Sequence, residues 1–379
     1  MPIVLVMITS LPALLAVLLP QAPEVSSTVA VSDVANPVDG IEIYDPSPAH
    51  PFGRPHPNAP PELQQFAFML GEFDCVDSLR RPDGSWHQTA AIWNAHYFLN
   101  GHGIQDVYWN DTFATSNIRL FDVSRGKWFV NFFKMPANSV GTGVWVGAQE
   151  EGQGGRSMVM WSGSEDRANG SRLTFFNIGN EGFEWVSESV RNGVATASWR
   201  SKCTRRKLGV IPKVPRFLGK EPNLVHPFGR LDRLAPAPLT QLAFQIGGFT
   251  EEQAGKVIGR RTGRWMLNGW GLQTSSYRGD QAEVLIQLFD RKANGLRITR
   301  YVMPNYEWSV WDGKQENGSA VLRETMRNGK RIAPARQMRL TRAQAGGYSV
   351  AISAAGKDVA GEDVAGEDVA DAVVLKPAH

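Results

Sequence analysis

Hydrophobic and polar positions alternate in short runs along most of the chain. Ser116–Phe121, Lys127–Phe133 and Val194–Cys203 alternate or cluster β-favouring residues between Gly, Asn and Asp turn signals. Long helical periodicity is scarce, and only Glu62–Leu70 indicates a short helix. Many short antiparallel strands within one domain predict a barrel, because closure of the sheet removes exposed edges.

The same series of residues occurs twice in the chain. His50–Arg54 recurs as His226–Arg230, 176 positions later. Leu99–Gly103 recurs as Leu267–Gly271, with an offset of 168 positions. An ordered series of matches predicts two copies of one domain, and the period is too long for a stacked solenoid. The sequence therefore predicts an all-β protein with two tandem antiparallel barrels.

The second copy is shorter than the first. Met135 and Arg191 are 56 positions apart in copy one, whereas the matching Met303 and Arg327 are 24 positions apart in copy two. The second copy therefore lacks 32 residues, which is room for two or three strands. We expect a truncated barrel that is open, flattened or completed by contact with the first.

The two ends of the chain differ from the copies between them. Met1–Leu19 is almost wholly apolar and is followed by small residues up to Ala30, a pattern typical of a secretory signal. An uncleaved membrane anchor is the alternative, although the run is short and interrupted by proline. At the other end, a five-residue repeat that begins at Gly356 is rich in glycine and acidic residues, which predicts disorder.

These features divide the chain into six segments. They are residues 1–30 (signal peptide), 31–62 (N-terminal arm), 63–207 (barrel 1), 208–238 (proline-rich linker), 239–342 (truncated barrel 2) and 343–379 (low-complexity, disordered tail). Because a His-Pro-Phe-Gly-Arg sequence precedes each barrel, we expect a packed arm before each copy. The protein is expected to be secreted or periplasmic, with no membrane span after cleavage of the signal.

The two cysteines of the chain lie near the start and the end of copy one. Cys75 follows Phe73 by two residues and Cys203 precedes Arg205 by two, so each pair shares one face of its strand. If the first and last strands pair antiparallel, a register with Phe73 opposite Arg205 also places the cysteines opposite each other. Opposite cysteines can form a disulfide, which export would permit. Two free thiols are the alternative.

The equivalent register in copy two places Phe249 opposite Arg342. Glu251 and Leu340 then occupy the positions of the two cysteines. No disulfide is therefore expected in copy two.

A glycine-X-aromatic opening strand after a short helix, closed by an arginine on the last strand, resembles the lipocalin-like (calycin) barrels. The resemblance implies that this arginine stacks over the aromatic ring and seals the closed end of the barrel. The sequence is also similar to the bacterial family called domain of unknown function 1579, well over Leu63–Arg206 and poorly over Leu239–Arg342. The matching motifs are Met69–Phe73, Pro82–Trp86 and Asn100–Gly103. This family implies a fold and no activity.

Charge and short motifs exclude several classes of function. A formal net charge of +3 on 379 residues is too small to indicate a nucleic-acid-binding protein. No Gly-X-Ser-X-Gly motif occurs, and Gly152–Gly155 lacks the following Lys-Ser/Thr of a phosphate loop. His87 and His96 could bind a metal, yet no dense His/Asp/Glu spacing accompanies them. We expect no cofactor and no metal, and the sequence does not define an oligomeric state.

The candidate ligand site combines polar residues of one hairpin with aromatic residues of later strands. Asn94, His96 and Gln105 share one face of the predicted hairpin and could orient a ligand. Arg119 is the candidate inward charge for an acidic head group, with an outward, solvated arginine as the alternative. The aromatic wall expected at the barrel mouth consists of Trp145, Trp161, Phe175 and Trp185.

Three functions remain open from the sequence. The first is a non-catalytic protein that binds a small apolar or amphipathic molecule in barrel 1. The second is an enzyme, a hydratase, isomerase or cyclase acting on a polyene-like substrate, with His96 as the candidate catalytic base. The third is a structural or interaction protein with filled barrels. An open cavity where Asn94, His96 and Gln105 converge would favour the enzyme, and an open apolar cavity would favour binding alone.

Overall fold

The structure is a computed structural model that describes residues 42–140, 143–152, 155–210, 220–222, 226–316, 319–333, 336–343, 347–354 and 373–378. The predicted signal segment and the glycine- and acid-rich repeat lie outside these residues. Within the described ranges, no helix has the length and apolar character needed to cross a membrane.

Barrel 1 is a closed antiparallel ring of ten strands. The strands are β1 (Gly71–Arg80), β2 (Trp86–Phe98), β3 (Gly103–Trp109), β4 (Ala114–Asp122), β5 (Lys127–Met135), β6 (Gly143–Gly152), β7 (Gly155–Gly163), β8 (Gly170–Gly179), β9 (Gly182–Arg191) and β10 (Val194–Arg205). Each strand pairs with the next along the chain, and β10 pairs with β1 to close the ring. The alternating pattern of the sequence thus becomes a barrel with no free edge.

A short 3-10 helix, Pro61–Met69, covers one end of barrel 1. Leu63, Phe66 and Met69 are buried in the barrel core from this helix. The ring of Phe66 packs edge-on against Trp128, with 4.7 Å between the ring centroids. This end of the barrel is therefore closed by apolar packing.

Arg205 seals the same end. Its guanidinium carbon lies 4.6 Å from the centre of the Phe73 ring, and Nη1 and Nη2 donate to the carbonyls of Leu70 (2.6 Å) and Phe68 (2.9 Å). A Cβ atom on Gly71, which has φ +126°, would lie 2.5 Å from Arg205 Nη1. Glycine is thus required for the close approach of the arginine. The stacking implied by the resemblance to calycin barrels is confirmed.

A disulfide links Cys75 and Cys203 across β1 and β10. The register places Phe73 opposite Arg205 and Cys75 opposite Cys203, as the sequence predicted. The cysteines are 128 residues apart, so the chain-entropy account gives about 5 kcal/mol of stabilisation for closing so long a loop. Structural disulfides persist mainly in oxidising compartments.

Barrel 2 is also a closed antiparallel ring of ten strands. A one-turn helix α1 (Ala237–Thr240) and a 3-10 turn (Ala243–Gln245) precede it. Its strands are β11 (Gly247–Gln253), β12 (Lys256–Met266), β13 (Gly271–Arg278), β14 (Gln281–Asp290), β15 (Gly295–Met303), β16 (Glu307–Glu316), β17 (Ser319–Arg327), β19 (Arg336–Arg342), β20 (Tyr348–Ala354) and β21 (Val373–Pro377), while β18 (Lys330–Arg331) only extends a hairpin with β17. Pairing of β21 with β11 closes the ring.

The closure of barrel 2 corrects two predictions. Residues 239–342 are indeed short of strands, but the barrel is neither open nor completed by barrel 1, because β20 and β21 supply the missing strands from the segment predicted as a disordered tail. Phe249 therefore lies opposite Pro377 and Arg342 lies opposite Tyr348, so the predicted pairing of Phe249 with Arg342 is wrong. The two added strands separate β11 from β19.

The repeated arms pack in the same way on the two copies. Phe52 accepts a hydrogen bond from the backbone N–H of Tyr97 (2.9 Å), and Phe228 accepts one from that of Trp265 (2.8 Å). Each arm thus satisfies backbone groups on the edge of the second strand of its copy. The arms also form part of the wall of the pocket described below.

The two barrels share one hydrophobic core on their outer faces. Ile118 and Leu120 from β4 belong to the same buried cluster as Val284 and Ile286 from β14. At the edge of this cluster, Asp290 accepts hydrogen bonds from the backbone N–H of Val140 (2.9 Å) and the hydroxyl of Ser139 (3.2 Å). Faces that would be exposed on isolated barrels are therefore buried against each other.

Candidate functional site

One pocket among the described residues lies between the barrels. It encloses about 270 Å³ and is bounded by the outer faces of hairpins β2–β3 and β12–β13 and by the two arms. Its lining includes Pro46, Asn94, His96, Gln105, Trp109, Glu221, Pro222, Arg264, Trp265, Met266 and Gln273. We call this space the inter-barrel pocket.

The two copies bring equivalent residues to this pocket. His96 and Arg264 are separated by the repeat offset of 168 positions, and so are Gln105 and Gln273. Gln105 Nε2 donates a hydrogen bond to Gln273 Oε1 over 2.9 Å, so these two equivalent side chains meet. The contact is isologous, as in a two-fold symmetric dimer. His96 and Arg264 belong to the same pocket lining.

Arg264 is the positively charged group of the pocket. Its side chain is half-buried, and no hydrogen bond or ion pair joins its guanidinium to any residue in the described ranges. Asp45 and Glu221 are the two carboxyl groups whose pKa values are affected by its charge. Burial raises the pKa of Asp45 to about 6 and that of Glu221 to about 7, and the charge of Arg264 lowers both pKa values by a smaller amount. At neutral pH Glu221 is therefore half protonated and neutralises Arg264 only in part.

His96 is a neutral hydrogen-bonding group. Burial, followed by the positive charge of Arg264, lowers the pKa of His96 to about 3. Asn94 Oδ1 and Gln105 Oε1 are buried and accept no hydrogen bond from the described residues. Unpaired buried acceptors cost free energy, so a ligand that donates to them would be favoured. Asn94, His96 and Gln105 can therefore orient a ligand, but His96 has a low affinity for a proton.

The rest of the pocket wall is mainly apolar. Trp109 and Trp265 contribute indole rings, Met266 contributes a flexible thioether side chain, and Pro46 and Pro222 contribute rigid rings from equivalent places in the two arms. Such surfaces bind apolar groups without strict directional demands. The pocket therefore combines one arginine, the carboxyl groups of Glu72 and Glu221, a few amide groups and a mainly apolar wall.

A second, smaller cavity of about 110 Å³ lies inside barrel 1. Trp93, Trp145 and Trp185 face it, together with Arg119. Arg119 is only 1% exposed and forms an ion pair with the fully buried Asp106. Burial lowers the pKa of Arg119 to about 9, so the guanidinium remains charged at neutral pH. The inward arginine thus already has a counter-ion.

The structure divides the predicted ligand-site residues between these two places. Asn94, His96 and Gln105 line the inter-barrel pocket, because their face of the hairpin points out of barrel 1. The residues in or beside the interior cavity are Arg119, Trp145, Trp185 and Phe175, the last of which is buried in the core against Trp93. Trp161 lies on neither surface, and its indole N–H donates to the Ser164 carbonyl over 2.8 Å.

The position of Trp161 follows from strand alternation. Met158 and Met160 belong to the core of barrel 1, so Trp161 on the same strand faces outward. Its prediction as a wall residue is therefore not supported by the structure.

Sequence reasoning missed the residues that copy two contributes to the pocket. Arg264, Gln273 and Glu221 come from barrel 2 and its arm. The repeat offsets contained the signal, because Arg264 matches His96 and Glu221 matches Asp45. What the offsets could not show is that the two hairpin faces meet.

Metal binding has no evident site in the part of the chain that is described. No group of three or more His, Cys, Asp or Glu side chains there is arranged to hold an ion. The polar groups of the two cavities are instead arginine, amide, hydroxyl and imidazole groups, with two glutamates in the inter-barrel pocket.

Comparison with known proteins finds similarity to solved structures only. No family model and no curated protein matches the chain, so membership of the family called domain of unknown function 1579 is not confirmed. The chain is similar to Rv2717c from M. tuberculosis, with 9% identity, a TM-score of 0.30, and coverage of 40% of this chain and 100% of that one. It is also similar to a DUF3598 family protein of unknown function from Nostoc punctiforme PCC 73102, with 10% identity, a TM-score of 0.24, and coverage of 83% of this chain and 98% of that one.

Proposed function

We propose that the protein binds a small amphipathic molecule with an anionic head group in the inter-barrel pocket. The observation that carries this proposal is Arg264, a guanidinium without an ionic bond to the described residues, at the wall of a mainly apolar pocket. A charged group in such surroundings favours a ligand that brings the opposite charge. A carboxylate is the simplest head group that the planar fork of an arginine can bind with two hydrogen bonds.

The size of the pocket sets the size of the apolar part of the ligand. Its volume of about 270 Å³ is slightly below the roughly 300–1,000 Å³ that is usual for ligand sites. Trp109 and Trp265 suit a short aliphatic chain or a single aromatic group. We therefore expect medium-chain or aromatic carboxylates and not long polyenes.

The cavity inside barrel 1 is a second candidate binding site. It holds about 110 Å³, and its charged group, Arg119, is paired with Asp106. A space of this size and lining suits a small neutral apolar molecule. It would not need the carboxylate that Arg264 favours.

An enzyme remains the alternative function. The convergence of Asn94, His96 and Gln105 on one pocket is the arrangement that the sequence associated with catalysis. A histidine with a pKa of about 3 is a poor proton acceptor at neutral pH, because efficient general bases have pKa values near the working pH. The low proton affinity of His96 therefore favours binding over catalysis.

Octanoate and octanol test the proposal, because they share an apolar chain and differ in charge. We expect octanoate to bind more tightly than octanol, as measured by calorimetry on the full chain. Arg264→Gln should weaken octanoate binding by about 10- to 100-fold, since hydrogen bonds to charged groups contribute about 1.5–3 kcal/mol. Octanol binding should change little in the same variant.

Arg323→Gln provides the control, because Arg323 is an exposed arginine on β17 of the same barrel. Equal affinity of the wild-type protein for octanoate and octanol would contradict the role of Arg264. Equal weakening by Arg264→Gln and Arg323→Gln would contradict the location of the site.

A further inference from the structure

A third cavity, of about 200 Å³, lies at one end of barrel 2. It is found where the β13–β14 turn meets the start of β19 and the adjoining ends of β20 and β21. Its polar wall is formed by Arg278, Arg300, Arg336, Glu283, Gln253 and Gln281. We call this space the arginine cavity.

The arginine cavity occupies the same place in barrel 2 as the cavity of about 110 Å³ occupies inside barrel 1. Thr115 and Phe132 line the cavity of barrel 1, and the residues at the matching offset of 168 positions are Glu283 and Arg300. The register agrees, because Phe132 lies opposite Asn117 and Arg300 lies opposite Leu285, the residue equivalent to Asn117. The two copies therefore keep a cavity in the same position and give it different chemistry.

Buried ion pairs stabilise the carboxylates beside this cavity. Arg261, which is 1% exposed, donates to Glu251 over 2.6 Å and to Glu283 over 2.9 Å. Burial alone would raise the pKa of Glu283, but the charges of Arg300 and Arg261 lower it to about 2. The two arginines thus hold the Glu283 carboxylate in its charged form. Arg261 Nη1 is buried and has no partner among the described residues.

The arginines of the cavity wall keep donors that the carboxylates do not use. Arg278 donates to Glu251 through Nε over 2.6 Å, and Arg300 donates to Glu283 through Nε over 2.7 Å. Arg336 uses Nε and Nη2 for its bonds to carboxylates on neighbouring strands. No bond within the described residues involves the two terminal nitrogens of Arg278 or Nη1 of Arg336.

We propose that the arginine cavity binds a compact dianion, such as a phosphate group or a small dicarboxylate. Three guanidinium groups line the cavity, and two of them keep terminal N–H donors that their carboxylate partners do not use. Guanidinium groups present several N–H donors in a fixed plane that matches phosphate and carboxylate oxygens. A dianion has enough oxygens and charge to accept from Arg278 and Arg336 at once, whereas a monoanion such as acetate attracts the two guanidinium groups more weakly.

The competing explanation is that the ion network only stabilises barrel 2. Buried networks of this kind can fix a structure without binding any ligand. In that case added dianions would bind no better than monoanions. The two explanations therefore differ in a measurement on the unmodified protein.

Calorimetric titration of the full chain with inorganic phosphate, succinate and acetate tests the proposal, at low ionic strength and about pH 8, where phosphate is largely dianionic. We expect phosphate and succinate each to bind more tightly than acetate. Phosphate binding alone would identify a phosphoryl site, and succinate binding alone would identify a dicarboxylate site. Saturating octanoate should not displace either, because the inter-barrel pocket is a different space.

Two substitutions place the site. Arg278→Gln removes one donor while Glu251 keeps its bonds to Arg261 and Ser276, and should weaken dianion binding about tenfold. Gln253→Glu leaves every arginine in place and adds a negative charge to the wall, so it should weaken binding by repulsion. Arg323→Gln, on the same barrel, is the matched control.

The proposal is overturned if phosphate and succinate bind the wild-type protein no better than acetate. It is also overturned if Gln253→Glu leaves dianion affinity unchanged, or if Arg323→Gln weakens it as much as Arg278→Gln. Because Gln253→Glu retains all the ion pairs, a folding defect of Arg278→Gln does not prevent a decision.

Discussion

Single substitutions between equivalent positions distinguish the two copies at the scale of the residue. Arg264 occupies the position of His96, so the inter-barrel pocket contains one cation and one neutral ring. Inside the barrels, Arg261 occupies the position of Trp93, and one interior is charged where the other is aromatic. Strand pairing tolerates these changes, because the backbone ladder does not depend on the side chains that project from it. Chemistry has therefore diverged on a shared scaffold.

The pKa of Glu221 predicts that ligand binding depends on pH. Burial raises this pKa to about 7, so Glu221 is charged at pH 8 and competes with an anionic ligand for Arg264. At about pH 6 Glu221 is protonated, whereas a carboxylic acid in solution is still ionised. Octanoate affinity should therefore rise by roughly tenfold between pH 8 and pH 6, as measured by calorimetry.

Glu221→Gln is the control for this dependence, because glutamine keeps an acceptor for the backbone N–H of Asn268. The variant should bind octanoate almost equally at both pH values. It should also raise the free energy of unfolding at pH 8 by about 1–3 kcal/mol, since the raised pKa destabilises the folded state progressively between the ordinary value of 4.5 and about 7, and the full penalty is present at pH 8. A wild-type affinity that falls as the pH is lowered would contradict the role assigned to Glu221.

The sequence was sufficient for the residues of the barrel seal and insufficient for those of the pocket. Period-two alternation and one register determine the positions of Phe73, Cys75, Cys203 and Arg205 together, and the structure has them so. Arg264 is different, because its environment depends on how two barrels dock. Alternation assigns each side chain to the inner or the outer face of its strand. It does not predict which outer faces of the two barrels come into contact.

At the scale of the element, all ten strands of barrel 1 lie within the repeated segment, whereas barrel 2 includes strands that follow the end of the repeat. β20 and β21 lie beyond the last residue that matches copy one. β21 is five residues long and follows a glycine- and acid-rich repeat, so its local sequence resembles the end of a flexible tail. Its stability as a strand comes from pairing with β11 and β20 and not from its composition.

Leu375 and Val374 provide a matched test of this closure. Leu375 is fully buried in the core of barrel 2, whereas its neighbour Val374 is 45% exposed on the outer face. Leu375→Ala should lower the free energy of unfolding by about 2–4 kcal/mol. Val374→Ala should change it by less than about 0.5 kcal/mol.

Chemical denaturation followed by tryptophan fluorescence measures both variants. Two variants of equal stability would show that residues 373–377 do not close the barrel in solution. Limited proteolysis gives a second measurement, because an opened ring exposes the edges of β11 and β20.

At the scale of the whole molecule, the two barrels behave as the halves of a symmetric dimer joined in one chain. Ile118 and Ile286 are separated by the repeat offset of 168 positions, and both are buried in the core that the barrels share. Together with the Gln105–Gln273 hydrogen bond, this places like against like across the contact. The pocket at this contact exists only when both barrels are in place.

The shared core predicts that the barrels unfold together. The wild-type protein should show one transition in differential scanning calorimetry, since separation of the barrels would expose both outer faces. Ile118→Asp places an unpaired charge in the shared core and should split this transition or lower its temperature by several degrees. Val123→Asp is the control, because Val123 is 64% exposed. A single transition at the wild-type temperature in Ile118→Asp would contradict a coupled pair.

Closure of barrel 2 by β21 affects the order in which the two barrels can fold during synthesis. Barrel 1 has all its strands once Arg205 has emerged from the ribosome, but barrel 2 must wait for Pro377. At about 5–20 residues per second, this delay is roughly 10–30 s. During that time the apolar outer face that carries Ile118 and Leu120 has no finished partner. During synthesis there is therefore a period in which barrel 1 is complete and its apolar outer face is exposed to solvent. A chaperone or a neighbouring chain would bind the protein at this stage.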